Sequence, residues 1–114
     1  MESGPVVFAA FSKKNFYWRE HITKYILEQG AAPMSAFMMF AYFLLDTVDR
    51  KKLIDANNAL IEKCDELWVF GDISEGVKLE IDFAKKLGRK IRYFAVDRMP
   101  ETVGEIMESQ IKYE

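Results

Sequence analysis

The chain has 114 residues, half of them hydrophobic, and its 16 basic and 18 acidic residues leave a net charge of −2. A chain of this length forms one domain around a single core, so we expect one domain over residues 1–114. The small net charge gives no electrostatic reason to bind nucleic acid or an anionic membrane surface. Cys64 and His21 are the only residues of their kinds. A disulfide framework, most metal sites and Ser-His triads are therefore excluded, and we expect neither a metal nor a cofactor.

Two features of the sequence predict a soluble cytoplasmic protein. The first residues, MESGPVVFAAF, lack the basic region and long apolar core of a secretory signal. The most hydrophobic stretch, residues 31–45, is interrupted by Pro33 and Ser35 and is shorter than the ~20 apolar residues that a membrane-spanning helix needs.

Strand and helix signals alternate along the chain. Short apolar runs predict β-strands over residues 5–11, 31–34, 64–70 and 90–96. Helical spacing of apolar residues predicts helices over residues 16–29, 37–45, 49–63, 75–89 and 101–110. This alternation predicts an α/β three-layer sandwich of the flavodoxin or Rossmann type, with a mainly parallel sheet of about four or five strands.

The helix predicted over residues 75–89 has a carboxylate in its apolar stripe. Glu80 projects between Ala84 and Leu87, on the side opposite the lysines of this helix. A buried carboxylate is paired, hydrogen-bonded or raised in pKa, and such groups mark functional sites when they face a cleft. The helix starts at the carboxyl end of a strand, where ligands bind in parallel sheets, so we expect Glu80 to face that crevice. The alternative is a rim position in which Glu80 reaches water or pairs with a basic side chain.

The region from residue 58 to residue 94 contains CDELWVFGD, then SEG and a helix with EI followed by a small residue. In these features the chain resembles the nucleoside 2-deoxyribosyltransferase-like superfamily, in particular its small uncharacterised branches. The resemblance implies a function on a nucleoside or nucleotide: cleavage of an N-glycosidic bond, or transfer of the deoxyribosyl group, on 2′-deoxynucleosides or deoxynucleotides.

The resemblance also implies site residues. Glu80 falls on the nucleophile that attacks C1′ of the sugar, and Ser74 on a residue that contacts the sugar or a 5′-phosphate. Gly76 matches a glycine that lets the substrate approach the start of the helix. Phe11 and Ser12 lie where the loop after the first strand touches the ligand.

Two further positions bear on whether such a site is catalytic. Asp72 is a candidate proton donor, although Asp72 to Glu75 also fits a helix capping box. Asn57 falls where several active relatives have an aspartate, and an amide can bond a sugar hydroxyl but cannot donate a proton as an acid does. The loop after the first strand also lacks the usual glycine or proline followed by an aromatic residue.

Three functional interpretations therefore stay open. The first is the glycosyl-cleaving or glycosyl-transferring enzyme. The second, which Asn57 favours, is a non-catalytic nucleotide- or nucleotide-sugar-binding module. The third is a small interaction protein that uses its apolar residues 34–43. The apolar excess of that segment also predicts a homo-oligomer, such as a dimer, because large apolar surfaces on small domains mark association.

Overall fold

A computed structural model describes residues 4–36 and 47–114. The α-helices in these ranges are α1 (Arg19–Glu28), α2 (Arg50–Lys63) and α3 (Glu75–Lys86), and two 3₁₀ helices span Lys13–Trp18 and Glu108–Gln110. The strands are β1 (Val6–Ala10), β2 (Ala32–Met34), β3 (Glu66–Phe70), β4 (Lys90–Ala95) and β5 (Gly104–Ile106). No helix in the described ranges is long and apolar enough to cross a membrane. The helix predicted over residues 37–45 falls outside those ranges.

The strands form one sheet in the order β2-β1-β3-β4-β5. The first four strands of this order are parallel, and β5 is antiparallel to β4. The prediction of a mainly parallel α/β sandwich is therefore confirmed. The order 2-1-3-4-5 is that of flavodoxin-like sheets, in which the chain reverses its winding direction between β1 and β3. A crevice for ligands opens at the carboxyl ends of those two strands.

Both faces of the sheet are covered, which explains why its strands are apolar without alternation. One face packs against α2 and α3, and the other packs against α1. Successive side chains of β3 point to opposite faces: Leu67 and Val69 contact α2 and α3, while Trp68 and Phe70 lie on the side of α1. Burial of each such large side chain contributes about 1.5–3 kcal/mol. Together these layers hold the helices rigidly over the sheet.

The prediction of a helix over residues 101–110 was wrong. Residues Gly104–Ile106 form the edge strand β5, and only Glu108–Gln110 is helical, as a single 3₁₀ turn. A glycine inside a helix costs about 1 kcal/mol relative to alanine, and the neighbouring β-branched residues favour a strand. The guanidinium of Arg92 on β4 donates two hydrogen bonds to the Glu105 carboxylate. This cross-strand pair fixes β5 against the sheet.

The segment predicted as a helix over residues 16–29 has two parts. A 3₁₀ helix over Lys13–Trp18 precedes α1, which begins at Arg19. Ser12 starts the 3₁₀ helix, since its Oγ accepts a hydrogen bond from the Lys14 amide at 3.2 Å. The loop after β1 is thereby turned over the carboxyl edge of the sheet, next to the crevice.

Candidate functional site

A cleft of about 780 Å³ lies at the carboxyl edge of the sheet. Its walls come from β1 and the loop that follows it, from the residues after β2, from one side of α2 and from the first turns of α3. This volume is in the range of small-molecule sites, which occupy about 300–1,000 Å³ and occur at such edges. The lining mixes apolar side chains with a few polar groups, an arrangement that suits an organic ligand with polar substituents.

The centre of this cleft is a contact between two helices. Asn57 on α2 donates a hydrogen bond from Nδ2 to Oε2 of Glu80 on α3. Glu80 is half-buried and lines the cleft, as the sequence predicted, and its neighbours Val77, Ile81 and Ala84 are buried in the core. The carboxylate therefore sits at the boundary between the apolar interior and the ligand space, with one oxygen held by an amide.

Burial dominates the acid–base behaviour of Glu80. Removal from water raises the pKa of this carboxyl from its ordinary value of 4.5 to about 7, although the hydrogen bond from Asn57 lowers it. Near neutral pH the group therefore exists in both protonated and ionised forms. The ionised form can attack an electron-poor carbon or stabilise an oxocarbenium-like transition state, and the protonated form can donate a proton.

The start of α3 forms one wall of the cleft. Ser74 is the N-cap of α3, and its Oγ accepts a hydrogen bond from the Val77 amide at 3.2 Å. The capping box with Asp72 as the cap is therefore wrong, because Ser74 takes that place. Ser74 also lines the cleft, so the capping role and a contact with a ligand are compatible.

Gly76, in the first turn of α3, faces open space. A Cβ added there would meet nothing closer than Ser74 Oγ at 3.9 Å, so packing does not require a glycine. Glycine inside a helix is less stable than alanine by about 0.5–1 kcal/mol. A glycine that the fold does not need, at the wall of a cleft, fits the expectation that a ligand approaches the backbone there.

Most of the other residues predicted for the site lie in the same cleft. Phe11 and Ser12 line it, and both are buried. Asp72 is exposed and is not among the lining residues. The structure thus brings together Phe11, Ser12, Asn57, Ser74, Gly76 and Glu80, and it leaves Asp72 apart from them.

Several residues of the cleft were not among those predicted from the sequence. On α2, the lining residues follow a helical spacing that begins at Arg50 and includes Leu53, Ile54, Asn57 and Asn58. This pattern could have been found, because residues three and four apart share one face of a helix. Ser35, directly after β2, and Glu114 also line the cleft.

Glu114 reaches the cleft through contacts that are distant in the sequence. Its amide donates a hydrogen bond to the Ile73 carbonyl at 2.9 Å, and the Ile73 amide donates to the Lys112 carbonyl at 2.8 Å. The Glu114 carboxylate lies 4.0 Å from Lys14 Nζ. The lining carries both signs of charge, with the basic residues Lys13, Lys14 and Arg50 and the acidic residues Glu75, Glu80 and Glu114.

The expectations about a metal ion and about self-association stay predictions. Within residues 4–36 and 47–114, no three His, Cys, Asp or Glu side chains are placed to hold a metal ion together. The predicted interface over residues 34–43 lies mostly outside the described ranges, so the expected homo-oligomer stays a prediction.

A family profile described as "Domain of unknown function (DUF7768)" matches residues 7–94. The chain therefore belongs to this family, whose matched region runs from β1 to β4 and includes Asn57, Ser74, Gly76 and Glu80. A search of curated proteins found no match to the chain.

We predict that Glu80→Gln makes the protein more stable at pH 8 but not at pH 4. Because the folded-state pKa of Glu80 is raised to about 7, the folded protein holds this proton more tightly than the unfolded chain does. Stability is therefore undiminished below about pH 4.5 and falls as the pH rises toward 7. At about 1.4 kcal/mol per pKa unit, the loss approaches about 3 kcal/mol, and the glutamine variant avoids it.

The measurement is urea unfolding of both proteins between pH 4 and pH 8. Asp82→Asn, which removes an exposed carboxylate from the same helix, controls for the change in net charge. A difference in unfolding free energy that stays constant over this pH range would contradict the prediction.

Proposed function

We propose that this DUF7768 protein is a cytoplasmic enzyme that cleaves the N-glycosidic bond of a 2′-deoxynucleoside or deoxynucleotide, or transfers its sugar, with Glu80 as the nucleophile. The observation that carries the proposal is the buried Glu80 carboxyl, held by Asn57 in a cleft of ligand size. The resemblance to the nucleoside 2-deoxyribosyltransferase-like superfamily is part of the proposal, and the choice of the N-glycosidic bond as the bond that reacts comes from it.

In this proposal the reaction has two steps. The ionised Glu80 oxygen attacks C1′, a glycosyl–carboxylate bond forms, and the base departs with the electron pair of the broken C–N bond. Water or a second free base then attacks C1′ and releases the Glu80 carboxylate. The departing base also needs a proton. Asp72 stays a prediction in that role, but its place outside the cleft lining favours water as the proton source.

A 5′-monophosphate would find basic groups at the cleft wall, although the lining carries three acidic residues as well as three basic ones. Lys13, Lys14 and Arg50 line the same cleft as Ser74 and Gly76 at the N-terminus of α3. A helix N-terminus attracts anions through its first amides and the helix dipole. Gly76 leaves those amides open to a group that approaches closely.

The second candidate is a module that binds a nucleotide or nucleotide sugar without breaking it. Two observations favour it: Asn57 cannot act as an acid, and Asp72 does not line the cleft. This candidate predicts saturable binding of the same ligands with no release of base.

We predict that the protein releases or exchanges base from some member of a panel of 2′-deoxynucleosides and their 5′-monophosphates, tested with and without a second free base. Glu80→Gln should lower the rate at least about 10³-fold, because an amide is not a nucleophile at C1′. The measurement is chromatography of the bases, and Asp82→Asn is the control that keeps the site intact. Release at an unchanged rate in Glu80→Gln would refute the role of Glu80, whereas binding without release would support the second candidate.

A second prediction concerns Gly76→Ala. The added methyl group has room in the fold, so the free energy of unfolding should rise by up to about 1 kcal/mol. The same methyl should obstruct a ligand and weaken its binding about tenfold or more. Thermal unfolding and ligand titration measure the two effects, with Gly104→Ala as the control because that position is also open but belongs to β5. Unchanged affinity in Gly76→Ala would show that no ligand approaches this turn.

A further inference from the structure

Two oxygen atoms in residues of the cleft wall are buried without a hydrogen bond. They are Ser35 Oγ and Asn57 Oδ1, which find no partner among the described residues. Ser35 is 5 % exposed and directly follows β2, while Asn57 faces the same cleft from α2. A buried polar atom without a partner costs the fold stability, and native proteins rarely keep one that has no other role.

The hydrogen bond to Glu80 determines which side-chain atom of Asn57 remains available to a ligand. Its Nδ2 donates to the Glu80 carboxylate, so its Oδ1 is left as an acceptor on the other end of the same planar amide. A carboxylate accepts and does not donate, which keeps the amide in this orientation while Glu80 is ionised. A ligand group that forms a hydrogen bond with Asn57 Oδ1 must therefore be a donor.

The position of this acceptor indicates which donor a ligand would supply. In the proposed reaction, the carbon that Glu80 attacks lies about 3–3.5 Å from its oxygen. Oδ1 is one amide width from the nitrogen that holds Glu80, so it is within reach of a substituent on the next carbon of the sugar. In a nucleoside attacked at C1′, that substituent is the hydroxyl on C2′, which ribose has and 2′-deoxyribose lacks.

We infer that Asn57 and Ser35 form a subsite for a sugar hydroxyl, and that the cleft binds ribonucleosides and ribonucleotides more tightly than their 2′-deoxy counterparts. The ribose O–H donates to Asn57 Oδ1, and Ser35 Oγ, which can donate and accept, bonds the neighbouring hydroxyl. The inference rests on the proposed attack at C1′, and it changes the preferred sugar from 2′-deoxyribose to ribose. Asn57 acts in it both as a positioning residue for Glu80 and as a determinant of specificity.

The size of the preference follows from the cost of an unpaired polar group. A deoxy sugar leaves both the ligand and the buried acceptor without this hydrogen bond, and such a loss corresponds to about 5- to 100-fold in affinity. Larger discrimination is known for sites built around a substrate hydroxyl. We expect a ribose preference of at least about fivefold.

The test compares dissociation constants for matched pairs, cytidine with 2′-deoxycytidine and adenosine with 2′-deoxyadenosine, together with their 5′-monophosphates. Binding is the proper readout, because a 2′-hydroxyl withdraws electrons and slows loss of the base by itself. The proteins are the native chain, Ser35→Ala, Asn57→Leu and the control Ser109→Ala, which removes an exposed hydroxyl in the C-terminal 3₁₀ helix. Thermal unfolding confirms that each variant is folded.

We expect the native chain and Ser109→Ala to bind the ribose member at least about fivefold more tightly. In Asn57→Leu the ratio should fall toward one, mainly through weaker binding of the ribose member, which a general structural defect would not produce. Ser35→Ala should weaken both members alike, because the neighbouring hydroxyl on C3′ is present in both sugars. Equal affinity of the native chain for the two sugars, a preference for the deoxy sugar, a ratio that Asn57→Leu leaves unchanged, or unchanged binding in Ser35→Ala would overturn the inference.

The outcomes also separate this inference from the proposed function. Base release from deoxynucleosides without a ribose preference would support the proposed enzyme and reject the hydroxyl subsite. A ribose preference without base release would support the hydroxyl subsite and favour the non-catalytic binding module. Failure to bind either sugar would reject both.

Discussion

The hydrogen bond from Asn57 to Glu80 is the interaction on which the candidate site depends. It joins the two helices that cover one face of the sheet, and it holds a carboxylate at the point where the core meets the cleft. Without a donor beside it, ionised Glu80 would be costly to bury, and it would lose its fixed orientation. With the donor in place, burial still raises the pKa of Glu80 to about 7. The same group can therefore change its charge in the physiological range.

The fold shows why this contact occurs at the carboxyl edge of the sheet. The reversal of winding between β1 and β3 opens a crevice there. The chain after β3 turns at Gly71, whose φ of +83° suits glycine, and Ser74 then caps α3 so that its second turn presents Glu80 to the crevice. Packing against one face of the sheet fixes α2 beside α3. The site is therefore a consequence of topology, capping and packing acting together.

Much of this architecture could be predicted from the sequence. The apolar strands, the helices α2 and α3 and the parallel sheet follow from hydrophobic periodicity, which reports burial directly. The terminal segment could not be predicted in the same way, since its pairing with the free edge of β4 and the Arg92–Glu105 pair outweighed the local spacing of apolar residues.

Glu80 was recognisable because a carboxylate interrupts an apolar stripe. Its bond to Asn57, the burial of Ser35 and the approach of Glu114 depend on contacts between distant segments, which no local pattern encodes. Asp72 has the right residue type and lies at the end of the right strand, yet its side chain is exposed and does not line the cleft.

The state of the Glu80 carboxyl can be measured by NMR titration of its side-chain carboxyl carbon, with Glu80→Gln used to assign the resonance. The account predicts a midpoint near pH 7, because the carboxyl is buried beside Asn57 at the cleft. A midpoint near the ordinary value of 4.5 would contradict it. Such a result would show that burial does not control the charge of Glu80, and the protonated form described for this site would then be absent at neutral pH.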